Sequence, residues 1–299
     1  MKAGSSSDGR TARVWGALEL ELPERVHERI IAELPVECLG VEVHDDSSGT
    51  GGLTAYFGSE DEARRAARRL AGLLEQSGLG ARRPRVRAIA DGGWVERYQA
   101  SLRPFDVGVG FTIDPAGGGS AVAGRRSISL IPGRAFGTGE HPTTRLCIGA
   151  VERYAGDGER WIDLGCGSGI LAVVAAKCGV AEVLALDVDP EAIGVAREVV
   201  RVNGVEPRVR VTLGGAEEAT PGCWNGVVVN ISVAFLEQTA GRLRGLPLPG
   251  GIVVASGFLE NERDVVSRTL GVAPLVELSR ETLDGWGMSV FGLPREGER

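Results

Sequence analysis

The densest chemistry in the chain lies in the run Trp161-Ile162-Asp163-Leu164-Gly165-Cys166-Gly167-Ser168-Gly169-Ile170-Leu171. An apolar strand enters a glycine-rich turn, and the turn opens a helix. Glycine has no Cβ and tolerates positive φ, so such a turn lets the backbone come close to a ligand. The spacing G-x-G-x-G is tighter than the G-x-G-x-x-G of dinucleotide pyrophosphate sites. By itself this turn is a weak signal that a purely structural loop would also give.

Two further positions strengthen it. Twenty-two residues after Gly165 the chain reads Leu184-Ala185-Leu186-Asp187-Val188-Asp189-Pro190, an apolar strand with an acid at its end. An acid about 20 residues beyond a glycine turn accepts hydrogen bonds from ribose hydroxyls in nucleotide-binding folds. Asp189, followed by Pro190 at the first helical position, suits an N-cap, which leaves Asp187 for ribose. The run Val227-Val228-Val229-Asn230-Ile231 ends a later strand in a carboxamide, and ligands of open α/β sheets sit beyond the carboxyl ends of strands. Gly165, Gly167, Gly169, Asp163, Asp187 and Asn230 are therefore expected to hold a nucleoside-type cofactor. The short turn with Asp163 ahead of it suits the methionine and ribose part of S-adenosylmethionine better than a diphosphate. For Asn230 alone the plainer alternative is a strand-ending turn residue.

A fourth run, Ala135-Phe136-Gly137-Thr138-Gly139-Glu140-His141-Pro142-Thr143-Thr144, opens a helix, and Pro142, Thr143 and Thr144 are good first-turn residues. His141 is the one histidine near these motifs, the others being His27 and His44. It is a candidate to bind or deprotonate a substrate amine, set against a capping role. Asn230 is a second candidate to accept a hydrogen bond from an amine.

The elements that must position these residues fall into two groups. Strand-like pieces at 12–20, 38–44, 53–57 and 85–89 alternate with helices from Pro23 to about Leu34 and over 60–77. Ser59 and Glu62 form a capping box at the second helix. The order βαββαβ is that of ferredoxin-like folds. A linker helix over Asp91–Leu102 follows, with Trp94 and Tyr98 one turn apart, until Pro104 stops it. Strand-like pieces at 105–113 and 127–131 flank a glycine loop at Gly117–Gly119. From Thr143 onward helices alternate with apolar strands near 160–164, 182–187, 208–213, 226–230 and 251–255, a doubly wound parallel sheet. Residues 275–278 and 287–293 suit a closing antiparallel hairpin. The expected organisation is a disordered leader (1–10), a ferredoxin-like domain (11–90), a linker helix (91–104) and an α/β catalytic domain (105–299).

Composition narrows the classes. The chain has 299 residues, 43% of them hydrophobic, and a net charge of −7. Its acidity argues against a dedicated nucleic-acid binder and for a basic partner. No apolar run is long enough to span a bilayer, and the polar start lacks a secretory signal. A cytoplasmic monomer is expected, with no membrane contact. Five separated cysteines with no C-x-x-C pair, together with three histidines, point to thiols rather than a metal site. Only Lys2 and Lys177 are lysines, a bias read as genomic base composition.

The runs F-G-T-G-E-H-P-T-T (136–144), D-L-G-C-G-S-G-I-L (163–171), D-V-D-P (187–190), N-I (230–231) and W-V-E-R-Y-Q-A-S-L-R-P-F (94–105) closely resemble the bacterial methyltransferase family that modifies large-subunit ribosomal protein eleven. The resemblance extends to the N-terminal domain and covers nearly the whole chain after the leader. It implies an S-adenosylmethionine-dependent protein N-methyltransferase acting on lysine ε-amines and the N-terminal α-amine, with the first domain gripping the substrate. Carried over by position, it puts cofactor contacts on Thr144, Gly165, Asp187 and Asn230, and Phe136, Thr138 and His141 in a covering loop. The chain departs from the family at Ile131 and Asn225, where acids usually stand, and in the glycine-rich loop from Asp114 to Gly124. Other readings are a methyltransferase of the same fold acting on another protein, RNA or a small molecule, and a binding module that has lost activity. The sequence N-I-S-V at 230–233, in place of an N-P-P-aromatic tetrad, argues against nucleobase or glutamine amino groups as acceptors.

Overall fold

The computed structural model describes residues 14–23, 26–32, 34, 38–44, 50–76, 83–90, 103–115, 124–131, 139–295 and 297. The chain divides into two compact units, Met1–Ser101 and Leu102–Arg299. The expected leader (1–10), linker helix (91–102) and glycine loop (117–119), with Phe136 and Thr138, lie outside the described residues.

The first unit runs β1 (Val14–Pro23), α1 (His27–Ala32), β2 (Cys38–His44), β3 (Thr50–Phe57), α2 (Glu60–Gln76) and β4 (Arg85–Ala90). Its four strands form one antiparallel sheet in the order β2-β3-β1-β4. Period-2 alternation turns Leu18, Leu20 and Leu22 of β1, and Leu53, Ala55 and Phe57 of β3, to one face. There they meet Ala63, Ala66, Leu70 and Leu74 of α2, spaced three and four apart on a single helix stripe. Ser59 Oγ accepts the Glu62 N–H at 3.3 Å and so caps α2.

The second unit starts with a small three-stranded sheet of β5 (Phe105–Val107), β6 (Phe111–Asp114) and β7 (Arg126–Ser129). The piece expected as one strand over 105–113 is instead a hairpin. The cause is a helix distant in sequence: Glu152 Oε2 and Oε1 accept the N–H groups of Val109 (2.8 Å) and Gly110 (2.6 Å) and hold the bend. Glu152 belongs to α3 (Pro142–Tyr154).

Then follow β8 (Arg160–Leu164), α4 (Ile170–Lys177), β9 (Glu182–Asp187), α5 (Pro190–Val202), β10 (Val209–Leu213), β11 (Trp224–Asn230), α6 (Val233–Gly245), β12 (Pro247–Leu259), α7 (Arg263–Leu270), β13 (Val276–Leu283) and β14 (Trp286–Gly292). The sheet order is β10-β9-β8-β11-β12-β14-β13. The first five strands in that order pair in parallel, and β14 is antiparallel to both neighbours. Both faces are covered, as a parallel sheet requires. Trp161, Val183, Ala185, Val228 and Val254 join the core on the side of α3, α4 and α5. Ile162, Leu164, Leu184, Leu186, Val227 and Val229 join that of α6 and α7. The chain leaves β8 toward β9 and β10, then returns to lay β11 on the other side of β8. The strand order therefore reverses between β8 and β11, and in such sheets the crevice beyond the carboxyl ends of those strands receives ligands. Among the described residues no helix is long and apolar enough to cross a membrane.

Candidate functional site

The glycine turn leaves β8 at its carboxyl end. Gly165, Gly167 and Gly169 all have positive φ (+70°, +50° and +76°). Gly165 and Cys166 donate their N–H groups to Leu186 O at 2.8 and 2.9 Å, which pins the start of the turn to β9. A Cβ on Gly165 would lie 2.2 Å from Ile231 Cδ1, so the turn also abuts the residue after β11.

Asp187 ends β9. Its Oδ2 accepts the Gly167 N–H at 2.9 Å and its Oδ1 accepts the Asp189 N–H at 3.0 Å. The side chain is half-buried, and each carboxylate oxygen retains a further lone pair for a ligand hydroxyl. Asp189 Oδ1 accepts the Glu191 N–H at 2.8 Å and caps α5, with Pro190 at the first position. The capping role expected of Asp189 is the one observed.

Asp163 lies elsewhere than the other motif residues. It is 1% exposed, and its Oδ2 accepts the Ala172 N–H at 2.9 Å, in the first turn of α4. Burial pushes its carboxyl up to about 7, partly opposed by that hydrogen bond and assisted by the charge of Asp187. The carboxyl group holds the turn and helix together from beneath. Cys166 sits in the turn itself, but burial pushes its thiol well up, so no thiolate is available there as a nucleophile.

Asn230 ends β11 half-buried, opposite Ser256 of β12. The next residue, Ile231, runs against Gly257: a Cβ there would lie 2.1 Å from Ile231 O, at a φ of +91°. Only glycine allows this approach. Ser256 Oγ donates to Gly287 O at 2.8 Å, fixing β14 against the same strand end. Ser256 and Gly257 were not singled out from the sequence. Their signal is the pairing of β12 with β11 and β14, which no local pattern carries.

The histidine loop joins the same end of the sheet. A Cβ on Gly139 would lie 3.1 Å from Ile170 Cδ1, at the start of α4. His141 is the N-cap of α3: its Nδ1 lies 2.8 Å from Thr143 Oγ1 and accepts the Thr143 N–H at 3.3 Å. Its ring meets Trp286 edge-on, with centroids 4.7 Å apart and planes at 69°. Nδ1 thus serves the backbone, which fits the capping alternative. Thr144 is buried in the first turn of α3 at 4% exposure. The structure brings Gly165, Gly167, Asp187 and Asn230 to one end of the sheet, sets Asp163 below it, and puts His141 at the cap of a flanking helix.

A sequence profile described as "Ribosomal protein L11 methyltransferase (PrmA)" matches residues 27–290. The chain belongs to the ribosomal protein L11 methyltransferase family. A relative of that name from Burkholderia thailandensis is 32% identical over 301 residues, covering 93% of this chain and 98% of the relative. One from Symbiobacterium thermophilum is 40% identical over 219 residues, covering 71% and 70%. A crystal structure of a ribosomal protein L11 methylase from Lactobacillus delbrueckii subsp. bulgaricus aligns at a TM-score of 0.59 with 24% identity, covering 64% of this chain and all of that one. The last likeness bears on the fold, which is a mixed α/β methyltransferase fold with a mainly parallel sheet.

Two departures from the family pattern have structural accounts. Asn225 Oδ1 accepts the Arg160 N–H at 3.0 Å, a bond that needs an acceptor oxygen but no charge. Ile131 packs as a partly buried residue against the core that holds α3 to α5.

Proposed function

We propose that this enzyme transfers a methyl group from S-adenosylmethionine to amines of ribosomal protein L11, lysine ε-amines or the N-terminal α-amine. The observation that carries the reading is the tie between Asp187 and Gly167 at the reversal of strand order, in a chain of this family. The residues present fit the cofactor. The turn brings bare backbone to the strand ends, and Asp187 supplies a carboxylate with lone pairs to spare for ribose. Gly165, Gly167 and Asp187 would hold it, with Thr144 and Asn230 beside them and Phe136 and Thr138 in the covering loop. Gly169 opens α4, and Asp163 positions the turn through Ala172.

When bound, the cofactor supplies an electrophilic methyl on a sulfonium. The chain's part is to align an amine lone pair and keep water out. A lysine amine ordinarily titrates at about 10.4, and burial favours its neutral form. Asn230 accepts a hydrogen bond from the amine through its carbonyl oxygen. His141 fixes the start of α3 rather than removing the proton.

The first unit, of βαββαβ order, is read as a ferredoxin-like domain (11–90) that grips the substrate. The linker (91–104) joins it to a doubly wound, Rossmann-like catalytic domain (105–299). A ribosomal substrate places the reaction in the cytoplasm, and one chain carries every motif, so a monomer suffices. Incubating the enzyme with purified ribosomal protein L11 and methyl-labelled cofactor tests the whole reading. Label on L11 amines is the expected result, and label only on RNA or a small molecule would replace it.

A further inference from the structure

The net charge of −7 is not spread evenly along the chain. Between Arg64 and Arg87 the sequence carries eight arginines and a single acid, Glu75. On α2 the inward stripe of Ala63, Ala66, Leu70 and Leu74 leaves Arg64, Arg65, Arg68 and Arg69 on the solvent side, all exposed. Arg64 pairs with Glu60, and Arg87 with Glu19. Arg65, Arg68, Arg69 and Arg83 have no ion pair among the described residues, although the chain holds 40 acids. Arg68 and Arg83 line one open cleft between α2 and the approach to β4, over Ala67, Ala71 and Pro84, with Glu75 also lining it.

This arrangement works against the helix that carries it. Arg64 and Arg68, and Arg65 and Arg69, stand one turn apart, where like charges repel. Among the described residues the pair of Arg64 with Glu60 is the one ion pair on α2 that offsets it. An external polyanion would. We propose that this arginine face of the first unit binds the phosphate backbone of folded RNA. Guanidinium groups donate in a planar fork that matches phosphate oxygens, and they keep their charge at any physiological pH. A protein partner would need an apolar or aromatic centre to its interface. The face offers only the small apolar floor of that cleft: α2 and residues 83–90 contain no aromatic residue, and no large exposed apolar side chain is found there among the described residues. Without an aromatic platform single-stranded bases have nothing to stack on, so the recognised feature is the backbone of a duplex stem. The inference is independent of which amine is methylated.

Fluorescence anisotropy of the full-length protein with a labelled RNA hairpin of about 16 base pairs provides the test. Each neutralised phosphate adds about 0.9 to the dependence of log Kd on log salt for a B-form duplex, so four arginines predict a slope of about 3 to 4 between about 50 and 200 mM salt. Replacing all four (Arg65→Gln, Arg68→Gln, Arg69→Gln, Arg83→Gln) should weaken binding about tenfold or more and flatten the slope. The matching Arg→Lys variant should keep most of both. Three results would overturn the proposal: no binding by the unaltered protein, equal losses in the Gln and Lys variants, or competition by polyglutamate as strong as by RNA.

Discussion

Gly167 donates its backbone N–H to Asp187 Oδ2 at 2.9 Å, so the glycine turn after β8 and the acid that ends β9 form one unit. The bond fixes the rotamer of the carboxylate, and the carboxylate fixes the turn. A change at either residue therefore acts on both.

Asp187→Ala should cost cofactor binding about 1.5–3 kcal/mol, the usual loss when a charged hydrogen-bonding partner is removed. Isothermal titration calorimetry on the folded variant measures it. Unchanged affinity would take Asp187 out of the site.

Gly167→Val places a branched side chain on a backbone with φ of +50°, where L side chains are strained and where the ligand must approach. Cofactor binding should be abolished while circular dichroism shows a folded protein. Normal binding by that variant would make the turn purely structural.

Asp163 sets a pH dependence of stability. Burial pushes its carboxyl up to about 7, against about 3.9 in the unfolded chain. Between those values the folded state holds a proton that the unfolded state has released, so this contribution is complete below about pH 4 and is lost as pH rises through about 7. Asp163→Asn keeps an oxygen for the Ala172 N–H and carries no charge. Urea unfolding should show the slope between about pH 4 and 7 in the unaltered enzyme and its disappearance in the variant. An identical slope in both would assign the pH dependence to another group.

A chain beginning at Asp91 tests the proposed division between domains. Every described candidate cofactor contact lies at or beyond Thr144, so the truncated enzyme should bind S-adenosylmethionine with the affinity of the whole chain. Turnover on intact ribosomal protein L11 should fall, with turnover on a short lysine peptide retained. Equal turnover of both enzymes on the intact protein would remove the grip role from the first unit.

The sequence by itself determined what depends on near neighbours. The glycine turn, the capping role of Asp189 beside Pro190, the Ser59 cap and the alternation that buries Leu18, Leu20 and Leu22 each follow from spacing within a few residues. Only the tertiary structure decided the rest, because hydrogen bonds and packing join residues far apart in the chain. Glu152 bends 105–113 into a hairpin from 42 or 43 residues away. The β11–β12 pairing carries Gly257 against Ile231, and the β12–β14 pairing carries Ser256 onto Gly287. Asp163 reads as a cofactor ligand by position, yet it is buried with its carboxylate on Ala172, because a side chain's direction at a strand end depends on which face the surrounding sheet closes. The arginine face was hidden by averaging: a net charge summed over the chain cannot show that one side of one helix has the opposite sign.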